Sequence, residues 1–240
     1  MKHLHMILQG KGGVGKSLIA SMLAQHYIKR DITPICIDTD PVNATFAGYK
    51  AFGAKHIDLM SGDDLDPRAF DELVEMVMAA DDESVFVVDN GAATFVPLCS
   101  WLIENEVVQF FKDADVNFTV HSVITGGQAL GDTISGLGNL LKHFDVPLVV
   151  WINEYFGKPE RNGTPFEKSA LFQNNQDKIH ALVRINAVRK ETFGEDLDQV
   201  LREKKSFAEA AADPSLSIMA RQRIAMIWRA IDEQIATANL

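Results

Sequence analysis

The chain has 240 residues, 47% of them hydrophobic and 23% charged, and a formal net charge of −10. Those proportions suit a globular chain with a real core. They argue against a surface built throughout for nucleic acid, whose phosphates need clustered Lys and Arg. No apolar run reaches the ~18 residues of a membrane span, and the opening MKHLHMILQGKGG does not have the form of a signal peptide. Cys36 and Cys99 lack metal-type spacing, so a reduced, cytoplasmic protein is expected.

Short β-branched runs alternate with amphipathic stretches, which predicts an α/β fold: a mostly parallel twisted sheet with helices on both faces, in one domain over 1–240. A first strand is expected at 4–9, entering a glycine-rich loop. His3 and His5 share a face at its start and read as a solvated strand end rather than a metal pair. A helix should follow from Ser17, with Ile19, Leu23 and Tyr27 on one stripe. A second strand, Ile35–Asp38, ends in an acidic turn, and 67–79 is helical, with Phe70, Leu73, Val74 and Val77 at helical spacing. Val85–Asp89 reads as a buried strand, and 117–124 as another, closed by Thr125-Gly126-Gly127. The following helix carries Leu130, Ile134, Leu137, Leu141 and Phe144. Strands are expected at 147–153 and 181–186, and the tail from about Ser217 is helical.

Gly10, Gly15, Lys16 and Ser17 satisfy G-x-x-x-x-G-K-[ST] between a predicted strand and a predicted helix, the setting of a P-loop NTPase. Glycines let backbone N–H groups turn onto phosphate oxygens, and the helix N-terminus adds a favourable dipole. Gly10, Gly12, Gly13, Val14, Gly15, Lys16, Ser17 and Leu18 would form this cradle. Lys16 can reach the β- and γ-phosphates, and the Ser17 hydroxyl can ligate Mg²⁺. Asp38 and Asp40, in Ile37-Asp38-Thr39-Asp40-Pro41, lie at a strand's carboxyl end, where open α/β sheets bind ligands. D-x-D-P alone also suits a capped turn. Asp89, closing Val85–Asp89, has the form of a Walker B carboxylate that holds Mg²⁺ through water, or equally of an N-cap.

A second lysine, Lys11, has no necessary part in a plain phosphate loop. With Asp38, Asp40 and Asp89 it makes the chain resemble the deviant Walker A ATPases that include ParA- and MinD-type proteins. The resemblance implies ATP and Mg²⁺ as cofactors and a homodimer bridged by ATP, with Lys11 reaching the partner's phosphates. It also implies that Asp40 orients the attacking water and that Asp38 sits in the outer shell of the metal, while Asn90-Gly91-Ala92 senses the γ-phosphate. Asn153 and the loop from Asn186 fall where relatives contact the purine. ATP over GTP follows from the resemblance, not from residues that compel it.

ILQGKGGVGKS, CIDTDPVNATF, VVDNGAATFVPL, VITGGQAL and SIMARQRI are similar to the TraL-type conjugal transfer proteins of plasmids, essentially end to end. That likeness implies an ATPase, expected to be slow, working with conjugative transfer or type IV secretion components. Three alternatives stand beside it. A partition or positioning ATPase would bind DNA or the inner membrane, which the net charge does not indicate. The helical tail offers Ile224, Ile227, Trp228, Ile231 and Ile235 on one face, a stripe that more often packs on its own domain. An iron–sulfur ATPase needs two cysteines at a shared face, which Cys36 and Cys99 do not supply. A small-molecule kinase leaves Lys11 unexplained.

Overall fold

The computed structural model describes residues 1–61 and 64–240. Strand β1 (Lys2–Ile7) runs into the glycine loop and helix α1 (Lys16–Ile28), followed by β2 (Ile35–Asp38) and β3 (Lys55–His56). A hairpin of β4 (Met60–Ser61) and β5 (Asp64–Leu65) leads to α2 (Ala69–Ala79) and β6 (Val85–Asp89). Next come α3 (Phe95–Glu104), α4 (Val107–Asp113), β7 (Val116–Thr125), α5 (Leu130–His143) and β8 (Leu148–Asn153). A second hairpin, β9 (Glu160–Arg161) with β10 (Thr164–Pro165), precedes α6 (Ala170–Gln173) and β11 (Ile179–Ile185). The chain closes with α7 (Glu195–Arg202), α8 (Phe207–Ala212) and α9 (Ile218–Ala238).

Seven strands form one sheet in the order β11-β8-β7-β1-β6-β2-β3, and every pairing in it is parallel. Such a sheet needs both faces covered, and β6 and β8 are accordingly apolar almost without a break, while β1 and β7 alternate apolar residues with buried polar ones such as His5, His121 and Ser122. The two-residue period sorts them between two cores. Leu148, Val150 and Ile152 of β8 join Phe70, Leu98, Leu137 and Leu140 on one face. Val149 and Trp151 join Ile19, Leu23, Phe207, Ile224 and Ile235 on the other.

Helix α1 is buried on nearly every side, because α9 lies across it as the sheet lies beneath it. The tail's apolar stripe therefore packs on its own domain. Ile224, Ile231 and Ile235 are buried, and Trp228 stacks on Phe207 at 5.2 Å. The Asp232 carboxylate pins the contact, taking hydrogen bonds from Lys29 (2.6 Å) and Arg30 (3.0 Å) and lying 2.7 Å from His26 Nδ1. Ser217 begins α9 by accepting the Ala220 N–H. At the sheet's edge, the Gln234 side-chain amide accepts from the Arg184 N–H at 2.8 Å and donates to the Arg184 carbonyl at 3.0 Å.

The histidine at position 5 is no solvated strand end. His5 is buried, and a directed chain of hydrogen bonds runs through it. The Trp151 N–H can only donate, so His121 Nδ1 accepts it at 3.0 Å. A neutral His121 then donates from Nε2 to His5 Nδ1 at 3.0 Å, and His5 Nε2 donates to the Tyr27 hydroxyl at 2.8 Å. Burial holds both rings neutral, lowering His5 to about 3. The chain joins β8, β7, β1 and α1 across the core.

Candidate functional site

The carboxyl ends of β1, β2 and β6 are neighbours in the sheet, and each delivers part of one cleft. From β1 comes the glycine loop. Gly15 adopts φ 106°, a left-handed conformation that favours glycine, and a Cβ there would stand 2.9 Å from the Asn153 amide nitrogen. The loop thereby hands the chain to α1, whose first residues are Lys16 and Ser17. A cleft of about 560 Å³ opens beside it, lined by Gly12, Gly13, Gly15, Lys16, Ser17 and Leu18 together with Asp40, Tyr49, Ala92 and Ala93. Gly10 is exposed, with the Phe95 ring beside it where a Cβ would stand, and Val14 is buried.

Lys16 is mostly buried and folds back to donate to the Lys11 carbonyl at 3.2 Å. Burial lowers its pKa, while the charges of Asp89 and Asp40 work against that. Asp89 is 2% exposed, and its Oδ1 has no hydrogen-bond partner. Burial pushes this carboxyl up to about 7, opposed by the Ser17 hydroxyl and Lys16 and reinforced by Asp38. A buried carboxylate oxygen without a partner is costly unless something else satisfies it. A hydrated magnesium ion fits that need, because magnesium keeps several waters and typically takes one or two protein ligands alongside substrate phosphates. Among the described residues no group of three or more His, Cys, Asp or Glu side chains is placed to hold a metal alone. Ser17 and Asp89 would hold the ion together with a nucleotide.

Asp38 sits beside Asp89 in strand register and is fully buried. Both its oxygens are engaged: Oδ1 accepts the Asp40 N–H at 3.0 Å and Oδ2 the Ala47 N–H at 2.9 Å. Burial still raises its pKa against these bonds. Asp38 thus ties down the segment that follows β2. Asp40 lies further into the cleft; its Oδ1 accepts the Val42 and Asn43 N–H groups at 2.9 and 3.0 Å. Its carboxylate packs on Gly91, where a Cβ would come within 2.8 Å of the carboxyl carbon. Asn90 is buried and knots the three strand ends: its Oδ1 accepts from Thr39 at 2.9 Å and its Nδ2 donates to the Ile7 carbonyl at 3.3 Å.

The remaining expected residues are arranged around this centre. Lys11 is part exposed and paired at 2.8 Å with Asp132 of α5, a partner that sequence reasoning did not find. Asn153 is buried, donating to the Val14 carbonyl at 3.0 Å and accepting the Tyr155 N–H at 3.1 Å, so it braces the phosphate loop. Asn186 lines a separate cleft of about 290 Å³ with Tyr155, Ile185, Lys190 and Asp198. The two asparagines are close through the sheet, where Asn153 registers with Ile185.

Comparison with known proteins places the chain in a family. The model of the CobQ/CobB/MinD/ParA nucleotide binding domain matches residues 5–218. Protein TraL of Escherichia coli is 44% identical over 240 residues, covering 99% of both chains. The chain is a TraL-type member of the CobQ/CobB/MinD/ParA nucleotide-binding family. Among solved structures, MinD of Pyrococcus furiosus superposes with a TM-score of 0.55 at 15% identity, covering 99% of each chain. The MinC:MinD complex of Aquifex aeolicus gives 0.55 at 13%, covering 95% of this chain and 94% of that one. At such identities these two show a shared fold. The family assignment also accounts for the parallel sheet with its phosphate loop after the central strand.

Proposed function

We propose that this protein is a magnesium-dependent ATPase that switches between monomer and ATP-bridged homodimer, and that it acts in plasmid conjugative transfer with type IV secretion components. The observation that carries the chemistry is the partnerless Asp89 oxygen beside Ser17 and Lys16 at the mouth of the phosphate loop. The transfer role rests on the full-length likeness to Protein TraL.

The glycine-loop N–H groups and Lys16 bind the phosphates, while Ser17 and Asp89 hold the metal. Magnesium, when bound, spreads the charge of the β- and γ-phosphates. Asp40 has one oxygen committed to its own turn; its other oxygen orients a water. The water oxygen bonds to the γ-phosphorus as the bond to the β–γ bridging oxygen breaks, and the water's proton passes to the released phosphate or to solvent, leaving ADP and phosphate. Lys11 from the partner subunit balances the charge that develops, so hydrolysis waits on dimerisation. The cleft at Asn186 would take adenine, with Asn153 behind it holding the loop through Val14 and Tyr155.

Substitution separates the two lysines. Lys16→Ala should abolish ATP binding in a fluorescent-nucleotide titration. Lys11→Ala should keep binding in one subunit but lose the ATP-dependent dimer in sedimentation, and with it hydrolysis. A parent protein that neither binds ATP nor changes its dimer fraction with ATP and magnesium would refute the proposal. The alternative role, ATP-gated binding to DNA or membrane, draws less support from the structure, because the apolar stripe of α9 faces the domain. Co-sedimentation with DNA or anionic vesicles, dependent on ATP, would restore it.

A further inference from the structure

The segment after β2 carries an aromatic cluster that the chemistry described above does not use. Phe46, Tyr49 and Phe52 pack together, with the Tyr49 ring stacked on Phe52 at 5.6 Å. All three belong to the core on the α1 face of the sheet. Filling that core asks only for a ring, which phenylalanine supplies at both neighbouring positions. Buried tyrosine hydroxyls ordinarily find a partner. Tyr49 is 3% exposed, yet its hydroxyl hydrogen-bonds to none of the described residues, and it is not sealed in. The residue lines the same cleft as Lys16, Ser17 and Asp40.

Taking the nucleotide reading of this cleft as its basis, we propose that the Tyr49 hydroxyl is a direct contact to the bound nucleotide. It donates a hydrogen bond at the phosphate–magnesium end, either to a phosphate oxygen or to a water on the metal. Binding would then satisfy a largely buried donor that has no acceptor among the described residues. Burial and the nearby Asp89 charge both raise the phenol's pKa, so it remains a donor at neutral pH. The contact also joins the nucleotide to the chain between Asp40 and Tyr49, which Asp38 already grips through the Ala47 N–H. Occupancy of the site would therefore be felt along the whole segment.

The test is Tyr49→Phe, which keeps the ring and its stacking. Without ligand, the variant should melt with the parent. Its affinity for magnesium–ATP should fall about tenfold or more, the loss of one hydrogen bond to a charged acceptor. Repeating the titration with magnesium–ADP and with ATP in EDTA locates the acceptor. A deficit with ATP but not ADP assigns it to the γ-phosphate. A deficit with both nucleotides that vanishes in EDTA assigns it to a water on the metal. Equal affinities for variant and parent under all three conditions would overturn the contact, as would a drop in ligand-free melting with no change in affinity. Lys16→Ala keeps the two readings apart. If the parent binds, Lys16→Ala does not, and Tyr49→Phe matches the parent, only the contact falls. If the parent itself fails to bind, both fall.

Discussion

Lys11 is exposed enough to leave its place, and Asp132 holds it with the kind of surface ion pair that contributes at most ~1 kcal/mol. If Lys11 must reach a partner's phosphates, this pair is a weak restraint to be broken each time the dimer forms. Asp132→Asn should therefore strengthen ATP-dependent dimerisation by up to about fivefold, the equivalent of ~1 kcal/mol. Sedimentation across a concentration series in magnesium–ATP measures it, and an unchanged or weaker dimer would count against the restraint. That Lys16, Ser17 and Asp89 come together was legible in the sequence, because their candidacy depends on spacing within one strand and one loop. Asp132 and Tyr49 were not. Each owes its place to a meeting of segments far apart in the chain, which no local pattern records. Asp38 was legible as a carboxylate at a strand end, but its grip on the Asp40 and Ala47 N–H groups shows only in the folded turn.

Strands β2 and β6 have the bounds that the sequence suggests, since each is a short apolar run ending in aspartate. The first strand lies two residues earlier than read: Gln9 leaves the ladder to send its amide to the carbonyls of Val123 and Thr133 at 3.1 Å. Helices α3 and α4 were not read at all. Pro97 and the left-handed Glu106, at φ 51°, interrupt their periodicity. The hydrogen-bonded rings linking β8, β7, β1 and α1 carry a pH dependence. Unfolded histidines gain protons below about pH 6.5, whereas folded His5 resists down to about 3. The unfolded state binds more protons in that window, so stability falls as the pH drops. Asp89 acts in the opposite sense: its rise from 3.8 to about 7 favours the fold at low pH, an advantage lost as the pH climbs toward 7. Asp38, whose pKa burial also raises, works in the same direction as Asp89. With both carboxyls removed in an Asp38→Asn, Asp89→Asn variant, the histidine slope should stand alone, and the urea midpoint should be lower at about pH 5 than at about pH 7. Equal midpoints would mean that the rings titrate normally in the fold.

At the scale of the whole molecule, α9 lies over the phosphate-loop helix and completes the second core. The sequence showed the stripe on this helix; that the stripe faces inward is settled by Asp232, which meets His26, Lys29 and Arg30 of α1. Asp232→Ala should destabilise the fold by about 1–3 kcal/mol, the lower end reflecting the exposure of Lys29. Thermal unfolding tests this, with ATP affinity expected to stay close to the parent's. A loss of affinity without a loss of stability would instead make α9 part of the proposed switch. The Gln234 amide has a different consequence. A parallel sheet that stops at an outer strand leaves a template on which a second molecule can continue the ladder. By returning both a donor and an acceptor to Arg184, a side chain imitates that next strand and ends the series. At Arg184 the rim is already paired, so a second strand could carry the ladder past this point only by displacing the Gln234 amide.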